Sequence, residues 1–181
     1  FYEVDHKFNL KKNKFFDLKK TFSNKVPEIK LIEKKLLETV NKHLRSDVKM
    51  GILLSGGLDS SILTSLVNKI KKKDNINTFS TSIPNSKFDE TKYQNKVKNL
   101  FGTIHKKFDF TQHSIIKNLK KCIYFYESPL HHPNIIAIYE LCGLAKRNKV
   151  KVLISGDGAD ELFGGYRWSY QYKKVNQIFS N

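Results

Sequence analysis

Two short segments concentrate glycine, hydroxyl and carboxylate residues more densely than packing requires: Ser55-Gly56-Gly57-Leu58-Asp59-Ser60-Ser61 and Ser155-Gly156-Asp157-Gly158-Ala159-Asp160-Glu161. In the first, the glycines let the backbone approach a ligand closely. The amides opening a following helix, reinforced by the helix dipole, would point at an anion there. Ser55, Ser60 and Ser61 can add hydroxyl donors. Asp59 would repel a bare phosphate, so its presence implies a divalent cation between carboxylate and phosphate oxygens. A Walker A loop reads GxxxxGK[ST], and no lysine occupies that place here, which argues against cleavage at the γ-phosphate. A turn that merely caps a helix is the plainer alternative, and it explains fewer of these residues.

The second segment imitates the dinucleotide fingerprint GxGxxG only in part. Glu161 stands where the third glycine belongs, so an NAD site is not supported. Asp157, Asp160 and Glu161 would repel one another at the tip of a strand unless a cation or a cationic substrate group stood among them. An exposed acidic turn is the competing explanation. Leu162-Phe163-Gly164-Gly165-Tyr166-Arg167-Trp168 then adds another glycine pair and an aromatic wall. If both segments lie at the carboxyl ends of neighbouring strands they face one crevice, and Asp59 and Asp160 could share one metal.

Such an arrangement needs strands leading into both loops, and the chain supplies them. Val48 to Leu54 is a short apolar run ending in glycines, and Val150 to Ile154 is another; both predict buried parallel strands. Between them, Ser60 to Ile70 predicts a helix and Asn77 to Ile83 a strand ended by Pro84. Asp89 is the expected N-cap of a helix through Leu100, with Gly102 beyond its end. Ile104 to Phe110 follows as a third strand. Ser114 to Tyr126 and Asn134 to Asn148 read as helices separated by Pro129 to Pro133. Upstream, Pro27 opens an amphipathic helix carrying Ile29, Ile32, Leu36, Leu37, Val40 and Leu44 at three- and four-residue steps. The alternation predicts an α/β fold with a mostly parallel sheet and helices on both faces.

Composition narrows the function classes. With 39% hydrophobic and 12% aromatic residues the chain suits a packed domain. No run approaches the roughly 18 apolar residues of a membrane span, and no export signal opens the sequence, so a cytoplasmic location is expected. The first residue is not Met and the chain stops after an aromatic run, which suggests a piece of a longer polypeptide. Cys122 and Cys142 lack metal or disulfide spacing and read as reduced core residues. His131 and His132 read as a loop feature. The net charge of +16 invites a nucleic-acid reading. However, Arg45, Arg147 and Arg167 are the only arginines among 33 basic residues, and the scattered lysines, Lys71 to Lys73 included, predict a solvated surface with nucleic acid an unlikely partner.

Leu44 to Leu63 (LRSDVKMGILLSGGLDSSIL) and Val150 to Trp168 (VKVLISGDGADELFGGYRW) together resemble the two signatures of the ATP pyrophosphatase domain of bacterial B-type, glutamine-hydrolysing asparagine synthetases. TFSTSIP, FDETKY and LFGTIHKKF fall between them in the family's order, so the resemblance covers about residues 25 to 175. It implies an adenine nucleotide α-hydrolase-like fold in which ATP activates the side-chain carboxylate of aspartate as an acyl-adenylate. Pyrophosphate leaves, and ammonia from a glutaminase domain then gives asparagine. By the same resemblance, Ser55, Gly56, Gly57, Asp59, Ser60 and Ser61 form the pyrophosphate loop, with Asp59 and Asp160 holding Mg²⁺. Leu54, Thr81, Ser155 and Gly156 contact the nucleotide, although Thr81 also fits an ordinary strand residue. Asp157 takes the acidic position used in forming the acyl-adenylate, where many members carry Glu. Ser82 replaces a common glycine.

Residues 1–24 resemble the end of the family's glutaminase domain and its connector, and 25–181 the synthetase domain without its C-terminal end. The glutaminase nucleophile and the later lysines that hold pyrophosphate fall outside the sequence, so no glutaminase activity is expected of this chain. A homodimer stays open. So do two alternatives: adenylation of a tRNA base by a related enzyme, and amidation of another carboxylate such as a sugar acid.

Overall fold

The computed structural model describes residues 1–21, 26–72, 75–132, 134–166 and 168. Lys73, Pro133 and Arg167 lie outside the described residues, as does 169–181, the end of the expected synthetase domain. The chain divides into two compact units, Phe1–Lys35 and Leu36–Asn181.

In the first unit β1 (Tyr2–Val4) pairs antiparallel with β2 (Leu10–Lys12). Asp5 closes the hairpin. Its Oδ2 accepts the Asn9 side-chain amide at 2.9 Å and its Oδ1 the Asn9 and Lys7 backbone amides at 2.9 and 2.8 Å; these bonds, the Asn9 side chain's first, hold its carboxyl below the usual carboxylate range. A single 3-10 turn (Leu18–Thr21) follows, and α1 (Ile29–His43) crosses the boundary between the units.

The second unit is built on four parallel strands in the order β5-β4-β3-β6, comprising β3 (Met50–Leu53), β4 (Asn77–Ser82), β5 (Ile104–Asp109) and β6 (Val152–Ile154). α2 (Leu58–Lys71) links β3 to β4, and α3 (Thr91–Phe101) links β4 to β5. α4 (Gln112–Tyr126) and α5 (Asn134–Arg147) then carry the chain back across the sheet to β6. The pleat sends alternate residues to opposite faces. Ile52 and Ile154 pack with Val40, Val67 and Ile76, whereas Leu53 and Leu153 pack with Phe79, Leu141, Ala145 and Val150. One core therefore forms on each face, and helices cover both. Gly51 is required by this packing, since a Cβ there would stand 2.5 Å from the Phe79 ring.

β4 buries Thr78, Ser80 and Ser82 along one face, and each is satisfied. Thr78 Oγ1 meets Thr103 Oγ1 at 2.9 Å and His105 Nδ1 at 3.0 Å; Ser80 Oγ donates to the Leu54 carbonyl and Ser82 Oγ to Asp109 Oδ1. The serine at the position where the resemblance expects glycine thus ties the ends of β4 and β5 together.

Three expectations are corrected. Asp89 does not cap α3: Glu90 holds the N-cap position, and Asp89 Oδ1 instead accepts Ile83 N–H (3.1 Å) and Thr91 Oγ1–H (2.8 Å). Cys142 is exposed rather than in the core, because Ile136, Leu141 and Ala145 form the buried face of α5 and Cys142 lies one step, about 100°, around the helix from Leu141. Cys122 is buried as expected, and burial raises its thiol pKa. The third difference is at α4, which starts at Gln112 because Thr111 and Ser114 form a reciprocal capping box. No helix among the described residues is long and apolar enough to cross a membrane.

His105 supplies a test of this packing. Burial first, then the charges of Lys98 and Lys107, hold its pKa below the ordinary 6.5. Its Nε2 is buried with no partner among the described residues. The unfolded chain therefore binds a proton before the folded chain does, and stability falls as pH drops below about 6.5 until the folded form protonates too. Thermal melting between pH 7.5 and 5.5 should show this loss. His105→Gln should flatten it, and an unchanged slope would place the titrating group elsewhere.

Candidate active site

β3 and β6 are neighbours, yet the chain leaves β3 toward β4 while β6 returns on the opposite side. Such a reversal opens a crevice beyond the carboxyl ends of the two strands. Both glycine loops emerge there.

The first loop is anchored before it begins. Leu54 is buried; its N–H donates to the Phe79 carbonyl at 2.8 Å and its own carbonyl accepts Ser80 Oγ–H, so both backbone groups are fixed to β4. Gly56 then takes φ +92°, and a Cβ there would lie 3.0 Å from the Gln94 backbone nitrogen and from Tyr93 Cβ. Both the torsion and the space exclude a side chain. Gly57 is the N-cap of α2, and Asp59 lies half-buried in the first turn.

Hydroxyl groups brace this turn. Gly57 N–H donates to Ser55 Oγ (3.1 Å), Ser55 and Ser60 hydroxyls meet at 2.9 Å, and Ser60 and Ser61 donate to the Gly57 carbonyl at 3.3 and 2.7 Å. Each hydroxyl has one hydrogen, and these contacts use all three. The donors left for an anion are the backbone amides of the first turn of α2, which have no acceptor within the helix.

The second loop meets the first through glycine. A Cβ at Gly156 would stand 3.1 Å from Asp59 Cβ and 3.3 Å from Ser60 N, so the two backbones touch beside the start of α2. Ser155 Oγ donates to Asp157 Oδ2 at 2.7 Å, holding the exposed Asp157 carboxylate over its own loop. Gly158 (φ 90°) opens the short helix α6 (Ala159–Phe163), which sequence reasoning left unassigned, and Gly164 (φ 70°) closes it. Asp160 lies across Gly165: the Gly164 and Gly165 amides donate to the Asp160 carbonyl at 2.8 and 3.0 Å, and a Cβ on Gly165 would fall 1.8 Å from Asp160 Oδ1.

The three acidic side chains do not converge. Glu161 accepts Tyr166 Oη–H at 3.0 Å, and Tyr166 stacks on Trp168 at 5.5 Å. That hydrogen bond, then the Glu161 charge, and more weakly Asp160 and Asp157, raise the Tyr166 phenol above its usual value. Among the described residues no three His, Cys, Asp or Glu groups gather as a metal site. Mg²⁺ needs fewer, because it keeps waters and is completed by one or two carboxylates and substrate phosphates. Asp59 and Asp160, carried on segments that meet at Gly156, suit that donor set. Thr81 is half-buried at the carboxyl end of β4.

Sequence reasoning missed Gln94. It is 2% exposed, and its Nε2 donates to the Ser55 carbonyl at 3.3 Å and the Thr81 carbonyl at 2.8 Å. The signal was present, since Gln94, Val97 and Phe101 share a helix face and a glutamine there interrupts an apolar stripe.

Residues 31–180 match the protein-family model described as asparagine synthase. The chain is 33% identical over 76% of its length to asparagine synthetase [glutamine-hydrolyzing] 1 of Bacillus subtilis, and 30% identical over 79% to asparagine synthetase B [glutamine-hydrolyzing] of Escherichia coli. It spans 21% and 28% of those two relatives. Among solved structures, it resembles the U34-tRNA thiolase NcsA of Methanococcus maripaludis (TM-score 0.57, 19% identity, 83% of this chain and 54% of that one). It also resembles the NH3-dependent NAD synthetase of Campylobacter jejuni (TM-score 0.53, 16% identity, 78% and 62%). These two establish the fold alone, a parallel α/β sheet with helices on both faces.

Proposed function

The chain belongs to the asparagine synthase family, and from that premise we propose that it is the ATP-using synthetase part of a glutamine-dependent asparagine synthetase of the B type. Residues 1–24 are the end of its glutaminase region and connector. ATP lies in the crevice with its β- and γ-phosphates on the amides opening α2. Leu54, Thr81, Ser155 and Gly156 border adenine and ribose, largely through backbone. The aspartate side-chain carboxylate attacks the α-phosphorus, the P–O bond to pyrophosphate breaks, and ammonia from the glutaminase region displaces AMP from the acyl-adenylate. Asp157, exposed at the loop tip, serves the acyl-adenylate step. Mg²⁺, held by Asp59 and Asp160, would supply charge neutralisation for the departing diphosphate. The missing Walker lysine agrees with this choice of phosphorus, since here the β- and γ-phosphates are held as leaving group.

The contact of Gly156 with Asp59 carries this reading, because it brings the anion loop and the acidic loop to one place. Its test is stoichiometry in the full-length protein: one pyrophosphate and one AMP released per asparagine, dependent on aspartate and on ammonia or glutamine. The net charge of +16 keeps the tRNA reading in view. Pyrophosphate release that requires tRNA and ignores aspartate would favour it, and release with a sugar acid alone would reassign the acceptor.

A further inference from the structure

α3 lies beside the first loop rather than inside it, yet its first turn touches that loop at several points. Gly56 packs on the Gln94 backbone nitrogen and Cγ, with ideal-Cβ distances of 3.0 and 3.2 Å. Both hydrogens of the Gln94 amide are then used on two carbonyls 26 residues apart in the chain, Ser55 in the anion loop and Thr81 at the end of β4. The amide orientation is fixed by these partners, because exchanging its nitrogen and oxygen would set an oxygen against two carbonyl oxygens. Gln94 Oε1 is buried with no partner among the described residues. An unsatisfied buried acceptor opposes stability, so the arrangement is not explained by stability alone.

We propose that Gln94 is a positioning residue of the nucleotide site: by holding Ser55 O and Thr81 O on one NH₂ group it sets the span between the diphosphate end and the nucleoside end of the crevice. This rests on the reading of the first loop as the diphosphate cradle. Gln94 touches no phosphate and acts through the two carbonyls. Because Gly56 can approach α3 only without a side chain, the glycine and the glutamine form one unit.

Two variants of the full-length protein test it, with ATP and magnesium pyrophosphate as probes in equilibrium binding. Gln94→Leu keeps the volume and removes both donors; it should melt as a folded protein and bind both probes about tenfold or more weakly. Gln94→Glu places an acceptor against both carbonyls when ionised but donates one hydrogen when protonated. Its affinity relative to wild type should therefore recover as pH is lowered from 8 toward 5. Taking the ratio at each pH cancels the titration of pyrophosphate and of every group that the two proteins share. Affinities equal to wild type for folded Gln94→Leu, or a pH-independent ratio for Gln94→Glu, would overturn the positioning role while leaving the cradle in place. Loss of folded structure in both variants would overturn it as well, making Gln94 structural. Failure of the wild type to bind either probe would remove the cradle, and this inference with it.

Discussion

Asp59→Asn in the full-length protein should invert the metal dependence of anion binding and lower ATP-dependent turnover about 100- to 1,000-fold. The inversion follows from charge. Asp59 sits in the first turn of α2, where the free amides and the helix dipole attract an anion and its own carboxylate opposes one. Without Mg²⁺, removing that carboxylate removes a repulsion, so inorganic pyrophosphate should bind the variant more tightly than the wild type. With Mg²⁺ the order should reverse, because the amide is a poor ligand for a hard cation. Stability should change far less, since an acidic residue in a first helical turn contributes only about 0.3–1 kcal/mol. Calorimetric titration with pyrophosphate, with and without Mg²⁺, checks both signs. Equal weakening in the two conditions would mean that Asp59 shapes the loop and holds no metal.

The sheet was legible because its signals are local and strong. β3 and β6 are short apolar runs before glycines, and parallel strands covered on both faces need little more. Gly102 was readable as a helix terminator for the same local reason, and it takes φ 62° at the end of α3. What failed depended on neighbours distant in the chain. Nothing within NTFSTS says that Ser82 will find Asp109 on the next strand, and that pairing, rather than a loss of space, is what the serine contributes. Asp89 carries the signature of an N-cap but has a better donor in the Ile83 amide, which a sequence window does not rank.

α4 marks the limit of hydrophobic periodicity. It buries Ser114, Asn118 and Cys122, and leaves Ile116, Leu119 and Ile123 exposed. The apolar stripe that identifies the helix therefore does not identify its inward face. Asn118 is accommodated because its Nδ2 donates to Ser114 O at 3.0 Å and to Glu140 Oε1 on α5. At the site, residue types pointed to the two loops, while the division of labour among their groups came from geometry. Three serines read as equal anion donors turn out to brace the Gly57 turn, and three clustered carboxylates separate toward Ser155, Gly165 and Tyr166.

That separation makes Gly165 the most informative position in the second loop. Gly165→Ala puts a methyl group where Asp160 Oδ1 now lies, 1.8 Å from the new carbon, and one of them must move. The backbone is the less free of the two, because the Gly164 and Gly165 amides both bond the Asp160 carbonyl. The Asp160 side chain will rotate instead, at small expense in folding, since the atom displaced is the end of a half-exposed carboxylate rather than backbone. Stability should stay within about 1 kcal/mol of the wild type. The proposed metal site should not escape so lightly. Disturbing the support of a metal ligand commonly weakens metal affinity about 10- to 100-fold. The Mg²⁺ concentration giving half-maximal ATP-dependent pyrophosphate release should rise by about that factor, with turnover at saturating Mg²⁺ largely recovered. Asp160→Asn should shift the same titration, and Glu161→Gln, which alters only the partner of Tyr166, should leave it in place. If Gly165→Ala titrates like the wild type, Asp160 is no ligand, and Asp59 holds the cation with substrate phosphates alone.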